Sequence, residues 1–359
     1  MKPAQRIRGV LSPVVTPFNK DLSPDPARFI AHCQWLLTQG CGLAVFGTNS
    51  EANSLSVNER IALLDALLAA DVDPSRMMPG TGCCALTDTV RLTEHAVKAG
   101  CAGVLMLPPF YYKDVSEEGL YRNFSEVVER VGDARLRIYL YHIPPVAVVG
   151  ITPGLVERLL KKYPTAIAGM KDSSGDWNNT KLFLDRFAQS GFDIFPGSES
   201  FLLAGLKNGG AGCISATANV NPAAIDRLFR DWRKPDADLQ QEALNVVRKT
   251  VGQYVMIPAL KAVVAHYSKD PEWSAVRPPL TELPQPVDHI LRLGRGSSIS
   301  TCPASRPPPP GQRRDELKKG RDSRIAARAR KKTENTGFSA GHAAPATRRG
   351  DGSARMRRS

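Results

Sequence analysis

One pattern recurs three times in this chain: a helical stretch ends in glycine, a small residue follows, and a short apolar run begins. It occurs in LLTQGCGLAVFGT (36–48), HAVKAGCAGVLMLPP (95–109) and LKNGGAGCISATA (206–218). Glycine ends helices because it adopts the left-handed backbone conformation at little cost. Short apolar runs bounded on both sides are typical of parallel strands that are buried on both faces. The pattern therefore predicts helices that alternate with the strands of a parallel sheet.

Strand-like apolar runs can be placed at eight points, namely 8–15, 42–47, 76–80, 102–107, 136–141, 166–171, 192–196 and 211–215. Amphipathic segments that begin with plausible N-cap residues lie between several of them, at 56–70, 86–100, 116–131 and 178–190. Eight βα units predict an α/β protein with a (β/α)₈ TIM barrel. A doubly wound open sheet is the alternative, but SPVVTPF follows the first strand where a glycine-rich dinucleotide loop would be expected.

The chain divides into three predicted parts. Residues 1–220 hold the barrel, 221–294 read as further helices packed on it, and 295–359 form a disordered basic tail rich in Pro, Gly, Ser, Arg and Ala. The tail holds 17 of the 48 Lys and Arg and 5 of the 35 Asp and Glu, which leaves 31 basic and 30 acidic residues in the body. The tail therefore carries +12 of the net charge of +13. Such a run can bind nucleic acid nonspecifically, but no aromatic residues alternate with its arginines, and we expect no nucleic-acid partner.

Other features of the sequence limit the location of the protein and its cofactors. No apolar run reaches the roughly 18 residues of a membrane span, and Pro residues interrupt the N-terminal segment too early for a signal peptide. We expect a cytoplasmic protein without a membrane partner. The seven cysteines show no CxxC or other metal-binding spacing, and no metal site is expected.

Reactive groups of a (β/α)₈ barrel lie at the carboxyl ends of its strands. The predicted strand ends carry Thr48, Tyr141 and Lys171, which are a hydroxyl, a phenol and an amine. A lysine amine with the ordinary pKa of about 10.4 is neutral in only a few molecules per ten thousand at pH 7, and burial of a lysine favours the neutral form. A neutral amine attacks a ketone to form a Schiff base, and phenol and hydroxyl groups can relay protons.

Each of these three residues also has a purely structural interpretation. Lys171 can be a solvent-facing lysine at a strand end, since lysine is almost never fully buried without a partner. Tyr141 can be a packing tyrosine, and Thr48 can be the N-cap of a loop or helix. The residues alone leave these alternatives open.

Five sequence stretches together resemble one known family. GTNSEANSLSVNER, LPPFYYKDVSEEGLYRNF, IYLYHIPP, IAGMKDSSGD and VRPPL are similar, in this order, to motifs of the dihydrodipicolinate synthase / N-acetylneuraminate lyase family. The resemblance covers residues 6 to 290. It implies a (β/α)₈ barrel with C-terminal helices, a homo-oligomer that is a dimer or tetramer, and a class I aldolase that needs no cofactor because the imine forms on lysine.

The resemblance also implies the roles of individual residues. The catalytic residues are Lys171, which forms the Schiff base with pyruvate or another 2-oxo acid, the proton-relay residues Tyr141 and Thr48, and Tyr112, which reaches into a neighbouring subunit's site; Tyr111 is the alternative to Tyr112. The substrate-binding positions are Asn49, which faces the 2-oxo acid carboxylate, Gly47, Ile214 with its backbone carbonyl beside the lysine, and Gly197 in a turn that lines the site.

Three departures from the family pattern bear on the substrate. Asn49 and Ser50 stand where GTTGE has threonine and glycine, although an amide can donate a hydrogen bond to a carboxylate as threonine does. His142 replaces the common asparagine. Val146 lies where the lysine-biosynthesis enzymes carry an arginine that binds the carboxylate of the aldehyde, and valine makes no such contact.

The sequence thus predicts a Schiff-base lyase or aldolase that acts on a 2-oxo acid, with pyruvate favoured, and on a second, more apolar aldehyde. The alternatives with the same imine are 4-hydroxy-tetrahydrodipicolinate synthase and a dehydratase of sugar-derived 2-oxo-3-deoxy acids. A barrel that binds a 2-oxo acid without catalysis is the alternative from another class, since a fold alone does not determine function.

Overall fold

Short parallel strands alternate with helices in the computed structural model, which describes residues 6–283. The strands are β1 (Gly9–Ser12), β2 (Gly42–Leu43), β3 (Val104–Met106), β4 (Ile138–His142), β5 (Ile167–Asp172), β6 (Asp193–Pro196) and β7 (Gly212–Ile214). The helices are α1 (Pro26–Thr38), α2 (Val57–Ala69), α3 (Leu86–Lys98), α4 (Glu117–Val131), α5 (Pro144–Ala147), α6 (Pro153–Lys162), α7 (Trp177–Phe187), α8 (Leu202–Lys207), α9 (Pro222–Asp231), α10 (Ala237–Val251) and α11 (Met256–Ser268). The predicted α/β alternation is confirmed.

The strands form two parallel sheets in the orders β2-β1-β7 and β3-β4-β5-β6. Backbone hydrogen bonds continue from one sheet to the other on both sides. On one side, Met78 N donates to Leu43 O at 2.8 Å and Leu105 N donates to Pro79 O at 2.8 Å. On the other side, Ala211 N donates to Ile194 O at 2.9 Å, beside the start of β7. Residues 77–80 therefore lie between β2 and β3, and β7 follows β6.

The prediction of a regular strand at 76–80 was wrong. Pro74–Arg76 form a 3₁₀ turn instead, and the following residues pair only through isolated bridges at Met77 and Gly80. Pro79 has no N–H to donate to a neighbouring strand, which prevents a continuous ladder. The other seven predicted strands exist, and most are shorter than the apolar runs that predicted them.

The helix ends follow the predicted chemistry. The glycines that close the three recurrent patterns adopt positive φ angles of +91° at Gly40, +84° at Gly100 and +89° at Gly209. Ser56 and Ser116 cap α2 and α4 by accepting hydrogen bonds from backbone N–H groups of the first turn. These short connections bring each helix back beside the sheet, so that consecutive strands can pair in parallel.

Two layers of apolar side chains surround the strands. One layer packs residues of the strands and of the segments beside them against each other, namely Leu11, Ala44, Met78, Leu105, Tyr139, Ala168, Phe195 and Ile214. A second, larger layer lies between strands and helices and includes Phe29, Leu67, Phe124 and Phe183. The C-terminal helices α9 to α11 have apolar clusters of their own that include strand residues Val10 and Cys213. The side chains at the strand ends are thus supported by a buried core.

The predicted division at residues 220 and 294 stays a prediction. The tail predicted at 295–359, and the end of the part predicted at 221–294, lie outside the described residues. Within residues 6–283, none of the helices combines the length and apolar character that crossing a membrane requires.

Candidate active site

Tyr141 and Lys171 lie side by side near the carboxyl ends of two neighbouring strands. They are register partners in the parallel pair β4–β5. Lys171 Nζ donates a hydrogen bond to Tyr141 Oη at 3.2 Å and lies 4.3 Å from the centroid of the tyrosine ring. Both side chains are 2% exposed. Strand pairing therefore places an amine and a phenol in contact inside the core.

Thr48 completes a chain of three polar groups. It begins a 3₁₀ turn, Thr48–Ser50, directly after Gly47 at the end of the second apolar run. Thr48 Oγ1 lies 3.1 Å from Tyr141 Oη, and either oxygen can donate the hydrogen bond. Lys171, Tyr141 and Thr48 are called the inner set below. A proton can pass along this chain without leaving the protein.

The burial of Lys171 contradicts the interpretation as a solvent-facing lysine. The side chain lies within β5, whose six residues are all buried, and does not face solvent. Within residues 6–283, no carboxylate oxygen lies within 4 Å of its Nζ. A buried lysine without a carboxylate partner is rare in a purely structural role. Such a placement is typical of a lysine whose amine is used in chemistry.

A small cavity lies beside Thr48 and Tyr141 of the inner set. Its walls include Gly47 and Thr48 from the turn, Tyr141 from β4, and the apolar side chains of Leu105 and Leu107. A lining that combines a few polar groups with apolar side chains is typical of a site for a small molecule.

The other predicted binding residues lie at neighbouring strand ends. Asn49 follows Thr48 in the 3₁₀ turn and is half-buried. Ile214 ends β7, and its buried side chain packs in the same cluster as Tyr141. Gly197 follows β6 and donates its N–H to Asp172 O at 2.6 Å. A Cβ atom at Gly197 would lie 2.0 Å from Ser173 Oγ, so this approach requires glycine.

Residues 110–113 and 144–148 form a separate region, called the outer rim below. Tyr111 and Tyr112 are both 74% exposed, and their rings meet edge to face at 5.4 Å. Val146 and Val148 are 60% and 62% exposed. Lys113 Nζ joins the two segments by donating hydrogen bonds to the backbone oxygens of Phe110 and Ala147. Within this chain, the tyrosines of the outer rim do not join the inner set.

His142 is the last residue of β4 and holds Ile151, three residues beyond the outer-rim segment 144–148. Its Nδ1 accepts a hydrogen bond from Ile151 N at 2.9 Å, which requires the neutral ring with its proton on Nε2. Burial lowers the pKa of His142, and the nearby Asp172 carboxylate opposes that change. Asp172 itself accepts hydrogen bonds from Ser174 and Thr180.

Sequence reasoning missed several residues that hold this region in place. Thr16 Oγ1 donates to Ser50 O at 2.7 Å, and Lys261 Nζ contacts Glu51 Oε1 at 2.7 Å with both side chains fully buried. The sequence does contain a signal for Lys261, since it is the single charged residue in the otherwise apolar stretch MIPALKAVVA. Thr16 left none.

The part of the chain that the structure describes holds no cluster of three His, Cys, Asp or Glu residues suited to a metal ion. The expectation of a reaction without a metal stays a prediction.

Comparisons with known proteins agree with the motifs. The sequence model of the Dihydrodipicolinate synthetase family matches residues 6–290. An uncharacterized DapA-like lyase of Chloroflexus aurantiacus is 36% identical over 279 residues, which are 77% of this chain and 92% of that protein. The crystal structure of dihydrodipicolinate synthase from Agrobacterium tumefaciens is 32% identical with a TM-score of 0.73, over 81% of this chain and 99% of that one. YagE of E. coli K12, a member of the same family solved in complex with pyruvate, is 27% identical with a TM-score of 0.74, over 82% and 99%.

Proposed function

Since the chain belongs to the Dihydrodipicolinate synthetase family, we propose that it is a Schiff-base lyase or aldolase that acts on a 2-oxo acid. The observation that carries this proposal is the hydrogen-bonded chain from Lys171 Nζ through Tyr141 Oη to Thr48 Oγ1. Pyruvate is the favoured 2-oxo acid, because a related structure was solved with it.

The proposed reaction begins with attack of the neutral Lys171 amine on the ketone carbon. The carbinolamine formed then loses water to give an iminium ion. The iminium accepts the electrons released when a proton leaves the adjacent carbon, and the enamine so formed adds to the carbonyl carbon of an aldehyde. Hydrolysis of the imine regenerates the amine and releases the product, and cleavage follows the same steps in reverse. This chemistry needs no cofactor beyond the imine.

Tyr141 is placed to transfer the protons of these steps. Its Oη lies within hydrogen-bond distance of both the amine and Thr48 Oγ1. A phenol can donate a proton to the departing hydroxyl of the carbinolamine and take one back from the adjacent carbon. Asn49, Gly47, Ile214 and Gly197 are proposed to bind the 2-oxo acid from the surrounding strand ends.

We propose that the strands close into the (β/α)₈ barrel. Hydrogen bonds link β2 to β3 through residues 77–80, and β6 to β1 through Ala211. A single apolar cluster also includes residues from β1 and from β3 to β7, together with Ala44 and Met78. Both observations support a sheet without free edges.

We propose a second substrate that is more apolar than that of the lysine-biosynthesis enzymes. Val146 is exposed on the outer rim, where an arginine would bind a carboxylate. The competing candidate is 4-hydroxy-tetrahydrodipicolinate synthase, which is favoured by the 32% identity to the Agrobacterium enzyme. A dehydratase of sugar-derived 2-oxo-3-deoxy acids shares the same imine.

Borohydride trapping tests the imine. The protein is mixed with pyruvate and borohydride, and peptide masses are read with and without the 2-oxo acid. We expect a reduced adduct on Lys171 alone. If no adduct forms there with pyruvate or with a small panel of 2-oxo acids, the proposed chemistry is wrong and the non-catalytic barrel becomes the better hypothesis.

A coupled assay separates the candidates that share the imine. Pyruvate is supplied with aspartate semialdehyde in one arm and with a panel of apolar aldehydes in the other, and a third arm offers sugar-derived 2-oxo-3-deoxy acids. We expect turnover to be fastest with apolar aldehydes. Strong turnover of aspartate semialdehyde would favour the synthase instead.

We also propose a homo-oligomer, a dimer or tetramer, in which Tyr112 completes the site of a neighbouring subunit. The exposure of Tyr112 supports this, because its side chain is free to contact a second copy. Light scattering measures the mass of the protein in solution and so tests the oligomer. The activity of Tyr112→Phe, with Tyr111→Phe as the matched control, tests the role of Tyr112 in the neighbouring site. Equal activity of the two variants would contradict it.

A further inference from the structure

A fully buried ion pair lies beneath the turn that carries Thr48. Lys261 Nζ of α11 lies 2.7 Å from Glu51 Oε1, and both side chains are 0% exposed. The same Nζ lies 4.4 Å from the centroid of the Phe18 ring. Removing two charges from water is costly, and replacement by apolar residues is often neutral or stabilising. A pair of this kind is therefore weak evidence for stability and calls for another reason.

The backbone at Glu51 supplies part of that reason. Glu51 adopts the left-handed conformation, with φ 54° and ψ 35°, directly after the Thr48–Ser50 turn. A residue with a side chain is uncommon in this conformation, which persists where the surroundings impose it. Here both carboxylate oxygens are held, since Oε2 accepts a hydrogen bond from Arg277 N at 3.0 Å.

The turn is also held from two other directions. Thr16 Oγ1 donates to Ser50 O at 2.7 Å. Gly47 N donates to Ser50 Oγ at 3.3 Å, so the turn is closed on itself as well. Thr48 lies between these fixed points, and its hydroxyl lies 3.1 Å from Tyr141 Oη. A change in the conformation of Glu51 would move this hydroxyl.

We propose that Lys261 is a positioning residue, which fixes the Thr48 turn through Glu51 and so keeps Thr48 Oγ1 within reach of Tyr141 Oη. This inference rests on the proposed function, because it assigns Lys261 to the proton relay of that site. Lys261 contacts neither the substrate cavity nor Lys171. Its loss is therefore expected to slow the proton-transfer steps and to leave the imine nitrogen in place.

Two measurements on pyruvate alone separate these steps and need no second substrate. Borohydride trapping after incubation with pyruvate to equilibrium reports the amount of imine on Lys171, which slower proton transfer does not change. Exchange of the pyruvate methyl protons in D₂O, followed by NMR, reports proton removal from the iminium. In Lys261→Met, we expect trapping within about twofold of the wild type and a loss of methyl exchange of roughly tenfold to a hundredfold, within the range for impaired general acid–base catalysis.

The double variant Glu51→Gln/Lys261→Met guards against simple misfolding. Single variants leave one buried charge without its partner, which destabilises a protein strongly, whereas the double variant leaves neither charge. We expect the melting temperature of the double variant to return towards the wild type while methyl exchange stays low. Lys261→Arg keeps the charge and is expected to recover part of the exchange.

Arg28→Gln provides a matched control. Arg28 makes ion pairs with Asp25 and with Asp270, just after α11, but contacts no residue of the Thr48 turn. The Arg28→Gln variant should have a lower melting temperature than the wild type and an unchanged rate of methyl exchange. A double variant that exchanges at the wild-type rate would overturn the positioning role while trapping still succeeds. Absence of trapping in the wild type would instead overturn the proposed function itself.

Discussion

The inner set and the outer rim are built in different ways. Lys171 and Tyr141 are 2% exposed and are held by strand register. Tyr112 and Val146 are 74% and 60% exposed and lie on a loop and on the four-residue helix α5. A group that must meet a reacting atom within about 0.5 Å needs rigid support, whereas exposed connections tolerate change. The difference teaches that, under the proposed function, bond making within one chain belongs to the inner set. The outer rim then selects the second substrate through Val146 and contributes Tyr112 to a neighbouring subunit.

Lys171→Ala gives the largest effect expected from the inner set. The variant lacks the amine, so we expect no adduct with pyruvate under borohydride and no measurable turnover with any aldehyde. Circular dichroism and thermal unfolding check that the fold is kept. Turnover above a tenth of the wild-type rate would show that the reaction does not use Lys171. The assignment of bond making to the inner set would then be wrong.

Tyr141→Phe is expected to lower turnover by roughly 10²- to 10⁴-fold, the range for loss of a proton-transfer group. The ring and its contact with Lys171 remain, and only the hydroxyl is removed. Tyr139→Phe is the matched control, since Tyr139 lies two residues earlier on β4, is buried, and has no hydrogen-bond partner for its hydroxyl within the described residues. Equal and mild effects of the two changes would contradict the relay.

The inner set was largely predictable from the sequence. Thr48, Tyr141 and Lys171 each end or follow an apolar run, and parallel strands bring such ends to one edge of a sheet. The glycines at 40, 100 and 209 predicted helix ends for a local reason, since positive φ favours glycine at any such point. Local chemistry and strand order were enough for these features.

Other features depend on contacts that no single stretch of sequence contains. The pair Glu51–Lys261 joins residues 210 positions apart. The left-handed conformation of Glu51 could not be predicted either, because glutamate, unlike glycine, gives no sequence signal for a positive φ. Regular pairing also failed at 76–80, because a 3₁₀ turn ends at Arg76 and Pro79 cannot donate. Apolar character predicts burial, but hydrogen bonding determines where a strand begins and ends.

Val146→Arg tests whether the outer rim selects the second substrate. An arginine there can bind a carboxylate through two hydrogen bonds, so we expect kcat/KM for aspartate semialdehyde to rise about tenfold, equivalent to 1.4 kcal/mol. Trapping of the pyruvate imine should not change, because Val146 is not part of the inner set. Val148→Arg, at a similarly exposed neighbour, is the control. The same rise in both variants would indicate a general charge effect and not a specific position.

His142 allows the smallest and most selective test, because it follows Tyr141 of the inner set in β4 and holds Ile151, just beyond the outer-rim segment 144–148. Burial lowers its pKa, so the folded protein favours the neutral ring more than the unfolded chain does. The stability contributed by neutral His142 is therefore fully present above its ordinary pKa of about 6.5 and is lost as the pH falls through the lowered pKa. Protonation of Nδ1 also removes the acceptor for Ile151 N.

Mild acid is therefore expected to loosen the segment that follows β4, from the outer-rim residues 144–148 to Ile151, before the inner set. Between pH 7 and pH 5, we expect faster hydrogen exchange at the Ile151 amide and a rise of a few-fold in KM for the aldehyde, with unchanged trapping of the pyruvate imine. His142→Asn keeps an oxygen that can accept from Ile151 N but does not titrate, so both changes should be smaller in this variant. An equally steep pH dependence in His142→Asn would show that another group controls the rim. Loss of trapping in parallel with the KM change would show that the two regions respond to acid as one.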